Sequence, residues 1–307
     1  MNELRTETMT VNMGPQHPST HGVLRLVLEL DGETVVSSAA TIGYLHTGIE
    51  KTAEQKKWQQ VIPLVERMDY LSAQSNSYAF CLSVESLLGL KLPDRVRWIR
   101  ILLAELQRIN SHLVWLGTHA MEVGAVSVML YCFRERELLL NINELIAGFR
   151  MFPSYIRVGG LREDLPRGFH EAVTQFLDRL PGKLDEYEDL LTKNHIFLER
   201  TRGVGAISRE VAIAYSLSGP IGRASGWSYD VRKIFPYGGY ETFDFNVPTG
   251  TNGDVYDRYL VRVEEIRQSL SICRRRWRAL PPRESGQSPI RESPRHRKTR
   301  STRKWKR

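Results

Sequence analysis

Alternation of apolar and polar positions is confined to the start of the chain. Between Val23 and Thr41, Leu24, Leu26 and Leu28 alternate toward the turn dipeptide Asp31-Gly32, and Val35-Val36 follow, which predicts a β-hairpin. Beyond Gly43 the apolar period becomes helical. The spacing of Val96, Ile99, Leu103, Leu106, Ile109, Leu113 and Leu116 predicts one long amphipathic helix, with Asp94 as its cap. Similar patterns predict helices over 49–68, interrupted by Pro63, over 72–88, stopped near Gly89, and over 127–151, ended by Pro153. Two shorter helices, over 167–180 and 183–193, are expected on either side of Pro181-Gly182. Residues 203–257, rich in Gly, Pro and aromatics, read as ordered loop, and a last helix starts near Tyr256. The expected fold is mainly α: a helical bundle with a small N-terminal antiparallel β element. The predicted divisions are 1–45, β-rich; 46–273, helical and incomplete at its C-terminal side; and 274–307, a basic, disordered tail.

Composition changes this picture in one place. The 307 residues carry a formal net charge of +8, but Arg274–Arg307 alone holds 14 basic and 2 acidic side chains, leaving 29 basic and 33 acidic ones in the rest. A mildly acidic body therefore precedes a strongly basic tail. At 41% hydrophobic and 25% charged, the body can bury a core, which excludes wholesale disorder. No apolar run approaches the ~18 residues of a spanning helix, and the polar Met1–Thr10 segment predicts no signal peptide. Cys81, Cys132 and Cys273 are far apart, so neither a disulfide framework nor a cysteine-held metal site is expected.

Candidate chemistry is densest in MGPQHPSTHG, Met13 to Gly22. His17 and His21 stand four apart, a zinc spacing on a helix, but Gly14, Pro15, Pro18 and Gly22 oppose a helix. A zinc-dependent hydrolase using this pair is one alternative, lacking a third ligand and a base. The other is a loop whose histidines satisfy backbone groups. On the long helix, Glu105, Arg108 and His112 share one face, with His119 two turns on. They predict a buried polar network that holds the bundle in register, or else line a proton-conducting cleft. Gly203-Val204-Gly205 imitates a dinucleotide loop without the strand that should precede it, and nucleotide binding by this chain is not expected. The tail alone supports a basic RNA- or membrane-surface-binding module.

The motifs MGPQHPSTHGVLRL, GYLHTGIEK, ERMDYLSAQSNS, FRERE, SYIRVGGLREDLP and FNVPTGTNGDVYDRYLVRVEE occur in one order between Thr10 and Ser271. Together they resemble the D-type subunit of proton-translocating NADH-quinone oxidoreductase, respiratory complex I, a family similar to the nickel-iron hydrogenase large subunit. The resemblance implies the hydrogenase large-subunit type of bundle. It also implies an oxidoreductase subunit that is active only within the complex, at a quinone site, with ubiquinone or menaquinone as substrate. The hydrogenase pattern Arg-x-Cys-Gly-x-Cys falls on Arg67 to Ser72, where Asp69 and Ser72 replace both cysteines, so thiolate ligation of a metal is excluded there. By resemblance, His21 and Tyr70 bind the quinone carbonyls and donate protons. His17, Glu122 and Asp69 support them, with Glu122 standing where the family more usually has Asp.

Further expectations come from the same source. Some members carry His where this chain has Phe152, which cannot titrate, so redox-linked protonation at that position is not expected. The resemblance places no iron-sulfur cluster in this chain and assigns the terminal cluster to a neighbouring B-type subunit. It also implies C-type, membrane H-type and membrane A-type partners, no nucleic acid, and a peripheral position on the cytoplasmic side of the inner membrane. From Cys273 onward the resemblance is expected to stop, as a shifted reading frame would make it.

Overall fold

Alternating Leu residues and the Asp31-Gly32 turn produce the hairpin that their pattern predicts. In the computed structural model, which describes residues 7–17 and 20–278, strand β2 (Arg25–Asp31) pairs antiparallel with β3 (Thr34–Thr41). A third strand, β1 (Met9–Met13), pairs antiparallel with the other edge of β2, with Val11 opposite Leu28. The MTVNM sequence is too short and mixed to announce a strand by itself. The order β1-β2-β3 leaves β3 at an edge, exposed along its length. A short helix α1 (Ile49–Glu54) completes the first of two compact units, Met1–Gln55.

The second unit begins at Lys56. Its helices are α2 (Trp58–Val65), α3 (Ala73–Leu88), α4 (Asp94–Glu122), α5 (Val126–Ala147), α6 (Phe169–Leu191), α7 (His195–Thr201), α8 (Arg209–Ala214), α9 (Gly219–Ala224), α10 (Val231–Ile234) and α11 (Val255–Arg278). A two-stranded ribbon, β4 (Ile156–Arg157) with β5 (Gly160–Leu161), follows α5. The apolar stripe of α4 supplies Ile99, Leu102, Leu103, Ile109, Leu113 and Leu116 to the main core. There they meet Cys132, Leu139 and Ile142 of α5, Phe176 and Leu180 of α6, and Tyr259, Val263 and Ile266 of α11. A smaller cluster joins Ile101 and Ile272 to Tyr240, Phe243 and Phe245.

Several expectations need correction. The helix expected over 49–68 is two helices, broken at 55–57, and Pro63 lies inside the second, close enough to its end that little helix is lost. The two helices expected around Pro181-Gly182 are the single helix α6. Its buried stripe, Phe169, Val173, Phe176, Leu177, Leu180, Leu184, Tyr187 and Leu191, keeps a helical period straight across the proline, and that burial outweighs a penalty of about 3 kcal/mol. Helix α5 stops at Gly148, whose φ of 73° suits the left-handed cap of a helix end, rather than at Pro153. The segment read as loop contains α8, α9, α10 and a 3-10 turn at Tyr240–Thr242. At the other end, α11 continues through Arg278, five residues into the stretch read as tail. The remainder of that predicted tail, 279–307, lies outside the described residues. No helix among the described residues is long and apolar enough to cross a membrane.

Candidate functional site

In the first unit, the loop after β1 is drawn tight by Thr20, whose hydroxyl lies 3.1 Å from the Pro15 carbonyl and 3.0 Å from that of His17. Gly14 has a φ of 90°, and a Cβ there would stand 2.2 Å from the Leu24 carbonyl oxygen, so only glycine lets the loop cross the strand so closely. His21 follows with a left-handed φ of 52°, and both His21 and His17 are exposed. The pair is not on a helix, so its four-residue spacing carries no zinc geometry. Among the described residues no three His, Cys, Asp or Glu side chains form a group able to hold a metal ion.

In the second unit, Tyr70 sits on the turn that joins α2 to α3, with 48% of its surface exposed. The turn is fixed from within. The Leu71 amide donates to Asp69 Oδ1 at 3.1 Å, the Ser72 amide to the Asp69 carbonyl at 3.1 Å, and Asn76 Nδ2 to the same carbonyl at 3.1 Å. From α4, Gln107 Nε2 donates to the Leu71 carbonyl at 2.7 Å. Asp69 thus shapes the backbone on which Tyr70 is displayed. A ladder of amides lies behind it: Gln74 Nε2 donates to Asn143 Oδ1 at 2.8 Å, and Asn143 Nδ2 donates to the Arg150 carbonyl at 3.0 Å. Beside the turn, the Arg67 guanidinium stacks on the Phe152 ring, 4.5 Å from its centre. Glu122, the last residue of α4, is exposed.

The polar face of α4 is built differently from the self-contained network its spacing implies. Glu105, completely buried, accepts from Arg232 Nη1 at 3.1 and 3.2 Å, from the Tyr240 hydroxyl at 2.5 Å and from the Ser269 hydroxyl at 2.7 Å. Arg108, its neighbour on the helix, stands farther off at 3.4 Å. Burial pushes the Glu105 carboxyl upward, but the Arg108 and Arg232 charges together with the Tyr240 and Ser269 hydrogen bonds outweigh it and hold the group at about 2. The same burial, reinforced by the Glu105 charge, puts the Tyr240 phenol well above its usual range.

His112 belongs to a second network. Its Nε2 lies 2.8 Å from Glu265, which also accepts from Arg223 Nε at 2.7 Å and is ion-paired with Nη2 at 2.5 Å. Burial lowers the His112 pKa against the pull of Glu265, so a neutral imidazole donates to a charged carboxylate. His119 joins neither network. It stacks on Trp115 with ring centres 4.8 Å apart and meets the Phe197 edge, and burial with the Arg262 and Arg258 charges lowers it to about 4. Both carboxylates are saturated with donors, so these networks can hold helices together but have no free acid or base to offer.

Sequence comparisons place the chain among respiratory-chain oxidoreductase subunits. A profile of the family described as respiratory-chain NADH dehydrogenase, 49 Kd subunit, matches residues 122–306. One of the D-type subunits of NADH-quinone oxidoreductase from Roseiflexus sp. strain RS-1 is 58% identical over 289 residues, covering 94% of this chain and 69% of the relative. Its counterpart in Chloroflexus aurantiacus is also 58% identical, over 93% of this chain and 69% of its own length. The D-type subunit of Geotalea uraniireducens is 53% identical over 90% of this chain and 71% of its own length. The chain belongs to the family of D-type subunits of NADH-quinone oxidoreductase, the 49 Kd subunit of complex I. Because the profile match runs to residue 306, the likeness extends past Cys273, where the composition of the tail sets its expected end.

Proposed function

We propose that this chain forms the quinone-headgroup site of the complex, with the Tyr70 phenol and the His21 imidazole donating hydrogen bonds to the two quinone carbonyls. The observation that carries this reading is the Tyr70 turn: an exposed phenol on a backbone anchored by Asp69, Asn76 and Gln107, while the bundle's interior carboxylates at Glu105 and Glu265 are fully occupied. Two-electron reduction of a quinone creates oxyanions, which are stabilised by preorganised donors and then protonated. A rigid turn presents the phenol without an ordering cost at the moment of reaction. The family resemblance gives His17 and Glu122 supporting roles, and Asp69 supports the phenol by fixing its turn.

In this reading the substrate is ubiquinone or menaquinone, and the electrons come from an iron-sulfur cluster in a B-type partner subunit rather than from a group in this chain. C-type, H-type and A-type subunits complete the surroundings, and the chain sits peripherally on the cytoplasmic side of the inner membrane. The Arg67 stack on the Phe152 ring keeps a permanent charge beside a ring that cannot titrate. Photo-crosslinking of an azido-quinone in the assembled complex tests the assignment. Label is expected in peptides carrying His21 and Tyr70, and labelling confined to other subunits or to other segments of this chain contradicts it.

A further inference from the structure

Five glutamates of the second unit are almost wholly buried: Glu66, Glu85, Glu105, Glu135 and Glu265. Four of them are bonded to arginine, namely Glu85 to Arg100, Glu105 to Arg232, Glu135 to Arg134 and Arg179, and Glu265 to Arg223. Glu66 has no such partner. Its surface exposure is 0%; Oε2 lies 2.6 Å from the Ser154 hydroxyl, and Oε1 is buried without a hydrogen-bond partner. The charged or titratable groups facing it are Arg157 on β4 and, on α3, the Cys81 thiol, itself pushed up to about 12 by burial. Ser77 also faces it from α3 with a hydroxyl that favours the charged form, and the same hydroxyl lies 3.1 Å from the Gln74 carbonyl.

An ionised carboxylate with one buried oxygen lacking any donor is costly, whereas a neutral acid in the same place is nearly satisfied. Protonated on Oε2, Glu66 donates to Ser154 Oγ at an ordinary O–H···O distance and leaves only a carbonyl-like oxygen unpaired. Burial, the largest influence, raises its pKa in the same sense and outweighs the hydrogen bonds from the Ser154 hydroxyl and amide, the Arg157 charge and the Ser77 hydroxyl. The position is equally specific. Glu66 closes α2 four residues before Tyr70, and Ser154 lies two residues after Phe152 in a left-handed conformation with φ of 42°. The α2 end and the 151–155 segment therefore meet twice, at Arg67 on Phe152 and at Glu66 on Ser154. Glu66 is sealed and Ser154 is half-buried, so the Ser154 hydroxyl is the hydrogen-bonded way out for a proton.

We propose that Glu66 is a proton-carrying acid of the complex, holding a proton in the resting state and releasing it through the Ser154 hydroxyl when quinone is reduced. The destination of the proton rests on the quinone reading of the Tyr70 segment; the proton site itself does not. The quinone takes up two electrons, supplied by the complex, and two protons. One O–H bond at Glu66 breaks, one O–H bond of the quinol forms, and the carboxylate left behind faces Arg157 for as long as the quinol stays bound, a proton from bulk water replacing the lost one when the quinol leaves. The second proton comes from the Tyr70 and His21 donors, which are likewise reprotonated from water.

Oxidised-minus-reduced infrared difference spectroscopy on the assembled complex reads this site directly. The expected result is loss of a protonated-carboxyl C=O band on reduction, absent in Glu66→Gln and shifted but present in Glu66→Asp. Glu66→Gln should slow quinone reduction about tenfold or more, with NADH oxidation by an artificial acceptor unchanged and with recovery in Glu66→Asp. Ser154→Ala, which keeps the carboxyl, should keep the resting band and slow quinone reduction. A band that survives in Glu66→Gln, or none at all in the native complex, overturns the proton site. Full quinone activity in Glu66→Gln, with Tyr70→Phe inactive, overturns the proton-carrying role alone. Full activity in Tyr70→Phe, with the band still lost in Glu66→Gln, overturns the quinone reading and the proton's destination but leaves the proton site standing.

Discussion

Glu105 and Glu66 are equally hidden from water, yet one is held at about 2 and the other is raised above its usual range. The difference lies in the donors each one meets. Glu105 receives two arginines and two hydroxyls, enough to stabilise a charge that burial penalises; Glu66 meets the Ser154 hydroxyl and amide, the Ser77 hydroxyl and an arginine charge that does not bond it. Burial raises a carboxyl, and the count of bonded cations decides whether it stays raised. One glutamate is thereby fixed as a structural anion, and the other keeps a proton that it can exchange.

The largest effect that separates them is on stability. Replacing Glu105 with Ala leaves the buried Tyr240 and Ser269 hydroxyls without an acceptor and the buried Arg232 with Asp230 alone, and should cost about 3–5 kcal/mol, read by denaturant unfolding. Glu66→Gln, which preserves a neutral hydrogen-bonding group, should change stability by less than about 1 kcal/mol in the same assay. Comparable losses from both substitutions would break the comparison. A further contrast is in pH dependence. The Glu105 pKa is lowered in the folded state, so its contribution is present above the unfolded pKa and is lost as pH falls toward about 2. The Glu66 pKa is raised, so its contribution is present in acid and is lost as pH rises through the folded pKa. Glu66→Gln should therefore flatten the loss that begins just above the ordinary carboxyl range, and Glu105→Gln the loss below that range, in thermal melts across pH.

The smallest effect concerns His119. Its pKa of about 4 is depressed, so the unfolded chain binds the additional proton between the ordinary histidine range and about 4. Stability should fall as pH drops through that window, and His119→Phe, which keeps the stack on Trp115, should remove that part of the slope.

Much of the architecture was legible from the chain because it rests on local periodicity. The α4 stripe and the hairpin at Asp31-Gly32 need only neighbouring residues to declare them. Pro181 misled because its local penalty is visible, whereas the packing of Leu180, Leu184 and Tyr187 that overrides it is tertiary. The polar network shows the same limit. Glu105, Arg108 and His112 were legible as a face, but Glu105 is bonded to Arg232, Tyr240 and Ser269, which lie 127, 135 and 164 residues away, and no helical spacing reveals them. Glu66 was hidden for the converse reason. Within ERMDYLS it looks like an ordinary charged residue, and only the structure shows a buried carboxyl that no arginine bonds.

The Tyr70 phenol is the group on which the quinone assignment turns. Tyr70→Phe keeps the turn, since Asp69, Asn76 and Gln107 hold the backbone and not the phenol. Quinone reductase activity of the assembled complex is the measurement, taken beside NADH oxidation by an artificial acceptor. Loss of quinone reduction with the artificial-acceptor rate intact is the predicted result; quinone reduction at the native rate, or equal loss of both rates, would contradict the assignment.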